Sequence, residues 1–121
     1  MKKILIIDDD ADILSLVQMI FTMHHFNVTT LDRPEAIDNS ISSFKPDLIL
    51  LDVMLPGDDG RMVCKRIKQS KDTGHIPVIL FSANPEFGNH YREWLADAFL
   101  EKPFEIANLL KTTRQYKKKA G

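Results

Sequence analysis

The chain has 121 residues, one cysteine and a formal net charge of −1, with 44% hydrophobic and 27% charged residues. That length holds one domain with a core of its own, and the near-neutral balance gives no global pull toward nucleic acid or an anionic membrane. One cysteine excludes an internal disulfide, no apolar run approaches the ~20 residues of a membrane span, and acid follows the first apolar run too soon for a secretory signal, so a cytoplasmic protein is expected.

Ile4–Ile7 is solidly apolar and predicts a strand buried on both faces. It runs straight into Asp8, Asp9 and Asp10. Two such charges about 4 Å apart repel by roughly 4 kcal/mol at an effective dielectric near 20, so the block needs a use. Ile13, Leu14, Val17, Ile20 and Phe21 then recur at helical spacing, with Asp10 placed as N-cap and Asp12 in the first turn. His24-His25 marks the end of that helix. Val28–Leu31 predicts a second strand. Asp32-Arg33-Pro34 predicts a second helix, with Asp32 as cap, Pro34 in the first turn, and Ala36, Ile37, Ile41 and Phe44 as its stripe.

Leu48–Leu51 is a third, fully apolar strand ending at Asp52. After a Pro56-Gly57 turn, Asp58-Asp59-Gly60 leads into a third helix with Met62, Val63 and Ile67 inward and Cys64 as a small packed side chain. Val78–Phe81 predicts a fourth strand ending at Ser82. Pro85 and Gly88 then disfavour a long helix, leaving Tyr91, Trp94 and Leu95 to make a short one, with Trp94 in the core or, as the alternative, anchoring a partner. Ala98–Leu100 predicts the fifth strand, leading to Lys102. A last helix starts near Glu105 with Ile106, Leu109 and Leu110 inward, and Lys117-Lys118-Lys119-Ala120-Gly121 reads as its solvated end. His75 and His90 read as surface residues, and no histidine spacing suggests a metal site.

Strand alternating with helix implies a parallel sheet with right-handed crossovers and helices on both faces. Ligands bind such sheets outside the carboxyl ends of the strands. Neighbouring strands lie about 4.8 Å apart, so Asp8, Asp9, Asp52, Ser82 and Lys102 converge. Each residue alone has an ordinary reading as a turn, a cap or a surface corner. Their joint placement at one sheet edge favours a site. Clustered carboxylates with room for water suit Mg²⁺, Lys102 adds a compact cation, and Ser82 a hydrogen-bond donor. An aspartate can act as nucleophile and form an acyl phosphate, and phosphoryl transfer asks chiefly for positioning and charge neutralisation.

The segments IIDDDAD, LLDVMLPGDDG, LFSA and EKPF, in this order, resemble the receiver domain of two-component response regulators over nearly the whole chain. The resemblance implies an α/β, flavodoxin-like (βα)5 three-layer sandwich with a parallel five-stranded sheet in the order 2-1-3-4-5. Residues 1–121 would form one receiver domain with no output domain in this chain. The resemblance makes Asp52 the phosphoacceptor. It assigns Mg²⁺ to Asp8, Asp9, Asp52 and the backbone carbonyl of Met54. Lys102 would pair with the phosphoryl oxygens, with a cis bond into Pro103. Ser82 and Phe99 would be the switch pair, the hydroxyl moving toward the phosphoryl group and the ring turning inward. Met54 and Asn84 fall at positions that tune the lifetime of the acyl phosphate.

The implied partners are a sensor histidine kinase or histidine phosphotransfer protein and a downstream protein, bound through the face made by the fourth helix, fifth strand and fifth helix. A phosphorylation-dependent dimer is compatible with that face; direct nucleic-acid or membrane binding is not implied. The resemblance implies activity limited to self-phosphorylation and self-dephosphorylation. The stretch between Ser82 and Lys102 departs from the family: it is shorter, and Leu95-Ala96-Asp97 replaces an Ala-Gly-Ala-like turn.

Two other functions fit parts of the pattern. Asp8 and Asp10 make the Asp-x-Asp of a haloacid-dehalogenase-type Mg²⁺-dependent phosphohydrolase, although Asp12 stands where that family has Thr or Val and no cap domain is evident. A receiver-like binding module that is never phosphorylated would explain the altered fourth-helix region.

Overall fold

The computed structural model of the chain describes residues 2–116, and the lysine-rich end expected at 117–121 lies outside them. The apolar runs form five parallel strands, β1 (Lys3–Ile7), β2 (Asn27–Leu31), β3 (Leu48–Asp52), β4 (Val78–Ser82) and β5 (Ala98–Glu101). They line up as β2-β1-β3-β4-β5. The helices are α1 (Ala11–Met23), α2 (Ile37–Phe44), α3 (Gly60–Gln69) and α4 (Ile106–Gln115).

Period-two alternation divides the buried side chains between two faces. Leu5, Ile7, Ile49, Leu51, Val78 and Leu80 pack against Ile37 and Ile41 of α2 and Val63, Cys64 and Ile67 of α3. Ile4, Ile6, Leu48, Leu50, Ile79 and Phe81 pack against Leu14, Val17, Ile20 and Phe21 of α1 and Leu109 and Leu110 of α4. Both faces of the three central strands are covered, which is why those strands carry unbroken apolar runs. Each large side chain removed from water contributes about 1.5–3 kcal/mol. β2 lies at the sheet's edge and its side chains are only partly covered.

Local chemistry sets the helix starts. Asp10 caps α1, its carboxylate accepting from the backbone N–H groups of Asp12 and Ile13. Asp59 caps α3 by accepting from Arg61 N–H. Asp32 does not cap the second helix as expected. Its carboxylate pairs with the neighbouring Arg33 at 3.2 Å, and the chain enters α2 through a 3₁₀ turn, Pro34–Ala36. Two inward assignments also fail. Met62 is 52% exposed because Val63, Cys64 and Ile67 define the buried side of α3; Ile106 is 52% exposed because α4 packs on the sheet only from Leu109 onward. His24 is the C-cap of α1, and His25 follows with a left-handed φ of 68°.

No α-helix forms between β4 and β5. Pro85–Gly88 and Tyr91–Trp94 make two 3₁₀ turns instead, and Leu95 closes the second with a φ of 65°. Trp94 is partly buried against the α3 face of the core. Asp97 fastens the end of this connection. Its carboxylate accepts from Val78 N–H at 2.8 Å and Lys68 Nζ at 3.0 Å, and its carbonyl accepts from the Tyr116 hydroxyl at 2.6 Å. Cys64 is fully buried, and burial pushes its thiol up to about 12, which leaves it an inert packing residue.

Candidate functional site

Three carboxylates meet at the carboxyl edge of the sheet. β1 delivers Asp8 and Asp9, and β3 ends at Asp52. One oxygen from each lies within 4.8 Å of the others. Asp8 and Asp52 are buried and Asp9 faces solvent. Lys102 reaches the cluster from beyond β5. Its Nζ stands 2.7 Å from Asp8 Oδ2 and 3.2 Å from Asp52 Oδ2, and 4.5 Å from the centroid of the Phe81 ring. The ring's negative face adds to the hold on the ammonium group.

Backbone bonds fix the remaining oxygens. Asp10 N–H donates to Asp8 Oδ1 at 2.9 Å, and Met54 N–H donates to Asp52 Oδ1 at 3.2 Å. The carboxylate of Asp10 itself is committed to the cap of α1, so the Asp8–Asp10 pair of a dehalogenase-type site is not presented together. Ser82 is buried at the end of β4, and its Oγ accepts from Asn84 N–H at 3.1 Å. Lys102 N–H donates to the Ser82 carbonyl at 2.8 Å, drawing the two strand ends together; the following bond to Pro103 is cis. Phe99, half-buried on β5, pairs in register with Leu80 and lies on the α3 face.

The loop after β3 depends on two glycines. Gly57 turns the chain with φ +70°, between the short antiparallel pair Met54–Leu55 and Asp58–Asp59. Gly60 passes so close to β3 that a Cβ there would overlap the Asp52 carbonyl oxygen. That approach lets Gly60 N–H bond Val53 O at 2.8 Å and keeps Asp52 against the start of α3. The Met54 side chain is left 62% exposed at the rim.

The charges do not balance. One ammonium group faces two buried carboxylates, with a third beside them. Burial raises the Asp52 carboxyl to about 6, the Asp8 charge adds to the rise, and Lys102 and the Met54 N–H oppose it. A set of carboxylate oxygens with surplus negative charge and one exposed member fits a small hard divalent cation. Mg²⁺ takes such ligands while keeping several waters.

A second cluster, not anticipated from sequence, borders this edge. Arg61 is paired to Asp59 and lies against Phe87 and Trp94. It shares an open cleft of about 350 Å³ with Asp9, Met54, Leu55 and Phe87. Nothing in local spacing announces contacts between residues so far apart in the chain. Phe81 read only as a strand residue; its place beneath Lys102 follows from strand register.

A five-stranded parallel sheet in the order β2-β1-β3-β4-β5, flanked by helices on both faces, places the chain in the flavodoxin-like class, with an acidic triad and a lysine at its carboxyl edge. Residues 4–114 match the response regulator receiver domain, and the chain belongs to that family. It is 36% identical over 115 residues to response regulator PleD of Caulobacter vibrioides, covering 93% of this chain and 25% of that protein. The chain spans between 25% and 53% of the length of such curated relatives. A putative response regulator from Chloroflexus aurantiacus superposes with a TM-score of 0.89 at 26% identity, covering 95% of this chain and 96% of that one. Response regulator TrrA from Thermotoga maritima, solved in complex with Mg²⁺-BeF, superposes with a TM-score of 0.86 at 26% identity, covering 96% and 99%. Among the described residues no helix is long and apolar enough to cross a membrane.

Proposed function

We propose that the chain is a phosphorylation-controlled switch that accepts a phosphoryl group on Asp52 from a phosphohistidine of a sensor kinase or phosphotransfer protein. The observation that carries this reading is the convergence of Asp8, Asp9, Asp52 and Lys102 at one sheet edge. Asp52, raised only to about 6, remains largely ionised near neutral pH and keeps its nucleophilic lone pair. A carboxylate oxygen of Asp52 attacks phosphorus. The O–P bond forms as the N–P bond of the donor breaks, and the imidazole nitrogen leaves with the electron pair. Lys102 Nζ, already 3.2 Å from Asp52, is placed to pair with the phosphoryl oxygens. Asp8, Asp9, Asp52 and the carbonyl of Met54 are the groups that would hold Mg²⁺, which when bound neutralises charge on the phosphoryl oxygens.

Phosphorylation adds about −1.5 to −2 charges and three acceptor oxygens. Ser82 Oγ serves as acceptor in its bond from Asn84, so that bond does not commit the hydroxyl proton, which can be offered to a phosphoryl oxygen. Movement of Ser82 toward it gives Phe99 a reason to turn inward, and the changed face of Pro85–Trp94, β5 and α4 is read by a downstream protein or a second copy. Residues 1–121 act as one receiver unit in the cytoplasm, and catalysis is confined to the chain's own phosphorylation and dephosphorylation.

Incubation with acetyl phosphate and Mg²⁺, followed by intact mass, tests the assignment. One phosphoryl adduct is expected, lost on chelation and absent in Asp52→Asn. An undiminished adduct in that variant would overturn the site.

A further inference from the structure

Arg61, the second residue of α3, is held from three sides. Its Nη2 donates to Asp59 Oδ2 at 2.7 Å and its Nε to Asp59 Oδ1 at 3.1 Å. Its guanidinium carbon lies 4.5 Å from the centroid of the Phe87 ring and 5.0 Å from that of Trp94. Phe87 belongs to the turn Pro85–Gly88 and Trp94 to the turn Tyr91–Trp94. One side chain therefore ties both turns to the start of α3. Neither turn contains a fully buried residue, so their placement leans on this stack and on the partly buried Phe87, Tyr91 and Trp94 rings.

The pinned segment touches both switch side chains. Gly88 follows Phe87 directly, and a Cβ on it would stand 2.7 Å from Phe99 Cδ2 and 2.9 Å from Cε2. The Phe99 ring thus rests against the backbone of residue 88, where no side chain fits. At the other end, Asn84 N–H donates to Ser82 Oγ, and Asn84 Oδ1 accepts from Glu86 N–H to start the turn.

We propose that Arg61 is a positioning residue that sets where the Phe99 ring rests, by pinning Phe87 and so holding Gly88 against that ring. The proposal rests on the reading of Ser82 and Phe99 as the moving pair. While the stack holds, Gly88 is a fixed backstop. When Ser82 Oγ leaves Asn84, the start of the turn loosens and the ring is free to depart. Removing the Arg61 stack loosens the same turn from its other side.

The Gly88 α-protons report ring position, because one occupies the site a Cβ would take against Phe99. Trp94, the single tryptophan, reports the stack by its emission. In the unphosphorylated protein, Arg61→Gln is expected to shift Trp94 emission and move the Gly88 α-proton signals toward random-coil values. Arg61→Lys, which keeps the charge but loses the plane, should behave alike. A merely structural role would lower the denaturation midpoint without displacing these protons. Altered Trp94 emission with unmoved Gly88 protons would overturn the proposal.

Gly88→Ala provides a second route should the Arg61 variants fail to fold. It should displace the Phe99 ring signals with the Arg61 stack intact; unchanged ring signals would count against the backstop. On treatment with acetyl phosphate and Mg²⁺, the wild type should show the Gly88 shift, and Arg61→Gln, phosphorylated equally by mass, less than about half of it. No adduct in either protein would defeat the receiver reading, while the comparison in the unphosphorylated state still decides the role of Arg61.

Discussion

At Asp52, burial and a neighbouring carboxylate push the carboxyl upward while Lys102 pulls it down, and the ammonium group answers to Asp8 at the shorter distance. Lys102 is therefore already committed to both carboxylates in this structure. Its removal is expected to spare adduct formation on Asp52 but to weaken the response that follows. In Lys102→Ala, the Ser82 and Phe99 NMR shifts on phosphorylation should be visibly smaller than in wild type; shifts matching wild type would contradict the pairing. Gly60 is constrained by space, not charge. Gly60→Ala places a methyl group on the Asp52 carbonyl, and forcing atoms into so tight a place costs about 1–3 kcal/mol or more. Urea denaturation should show that loss.

Among the elements, the connection between β4 and β5 carries the short helix expected near Tyr91 and Trp94, as a 3₁₀ turn closed by Leu95. Pro85 removes a backbone donor and Gly88 lowers helix propensity, and what forms is a pair of 3₁₀ turns fastened at their ends. Asp97 is the downstream fastening. Asp97→Ala leaves Val78 N–H and the Lys68 ammonium without that acceptor, at 14% exposure for the lysine side chain. Lys68 keeps its bond to the Ile76 carbonyl at 3.0 Å, so the donor left unsatisfied is Val78 N–H; one such loss costs about 1–3 kcal/mol, so the urea midpoint should fall and exchange of the Val78 amide should accelerate. An unchanged midpoint would show that the Asp97 contacts contribute no net stability.

For the molecule as a whole, the surplus negative charge at the sheet edge couples stability to protons and, on the proposed function, to magnesium. The Asp52 carboxyl protonates near 6 in the fold against 3.8 for an ordinary aspartate. Between those values the folded chain binds more protons than the unfolded one, so this group's contribution to stability is greatest below about pH 4 and falls as pH rises toward 6. Asp52→Asn should remove that slope from the thermal midpoint measured without divalent ions. Mg²⁺ competes with the proton for the same carboxylate, so the rise in midpoint it causes should be larger at pH 7 than at pH 5. At a hundred times the dissociation constant the gain is about 2.7 kcal/mol. Equal gains at both pH values would disconnect Asp52 from the cation.

Legible in the residue pattern alone were the five strands, the covered faces of β1, β3 and β4, the Asp10 cap of α1, and the candidate group Asp8, Asp9, Asp52, Ser82 and Lys102. Burial periodicity is local, and a parallel sheet carries the strand ends to one edge whatever the loops do. Packing had to settle that Asp32 turns away from the start of the second helix and that Met62 and Ile106 face solvent. The same holds for Arg61, Phe87 and Trp94, and for Gly88 against Phe99. Those outcomes depend on which side chains compete for one partner or one volume. For the Arg61 stack and the Gly88 contact that competition runs between residues distant in the chain, where neither spacing nor propensity carries information.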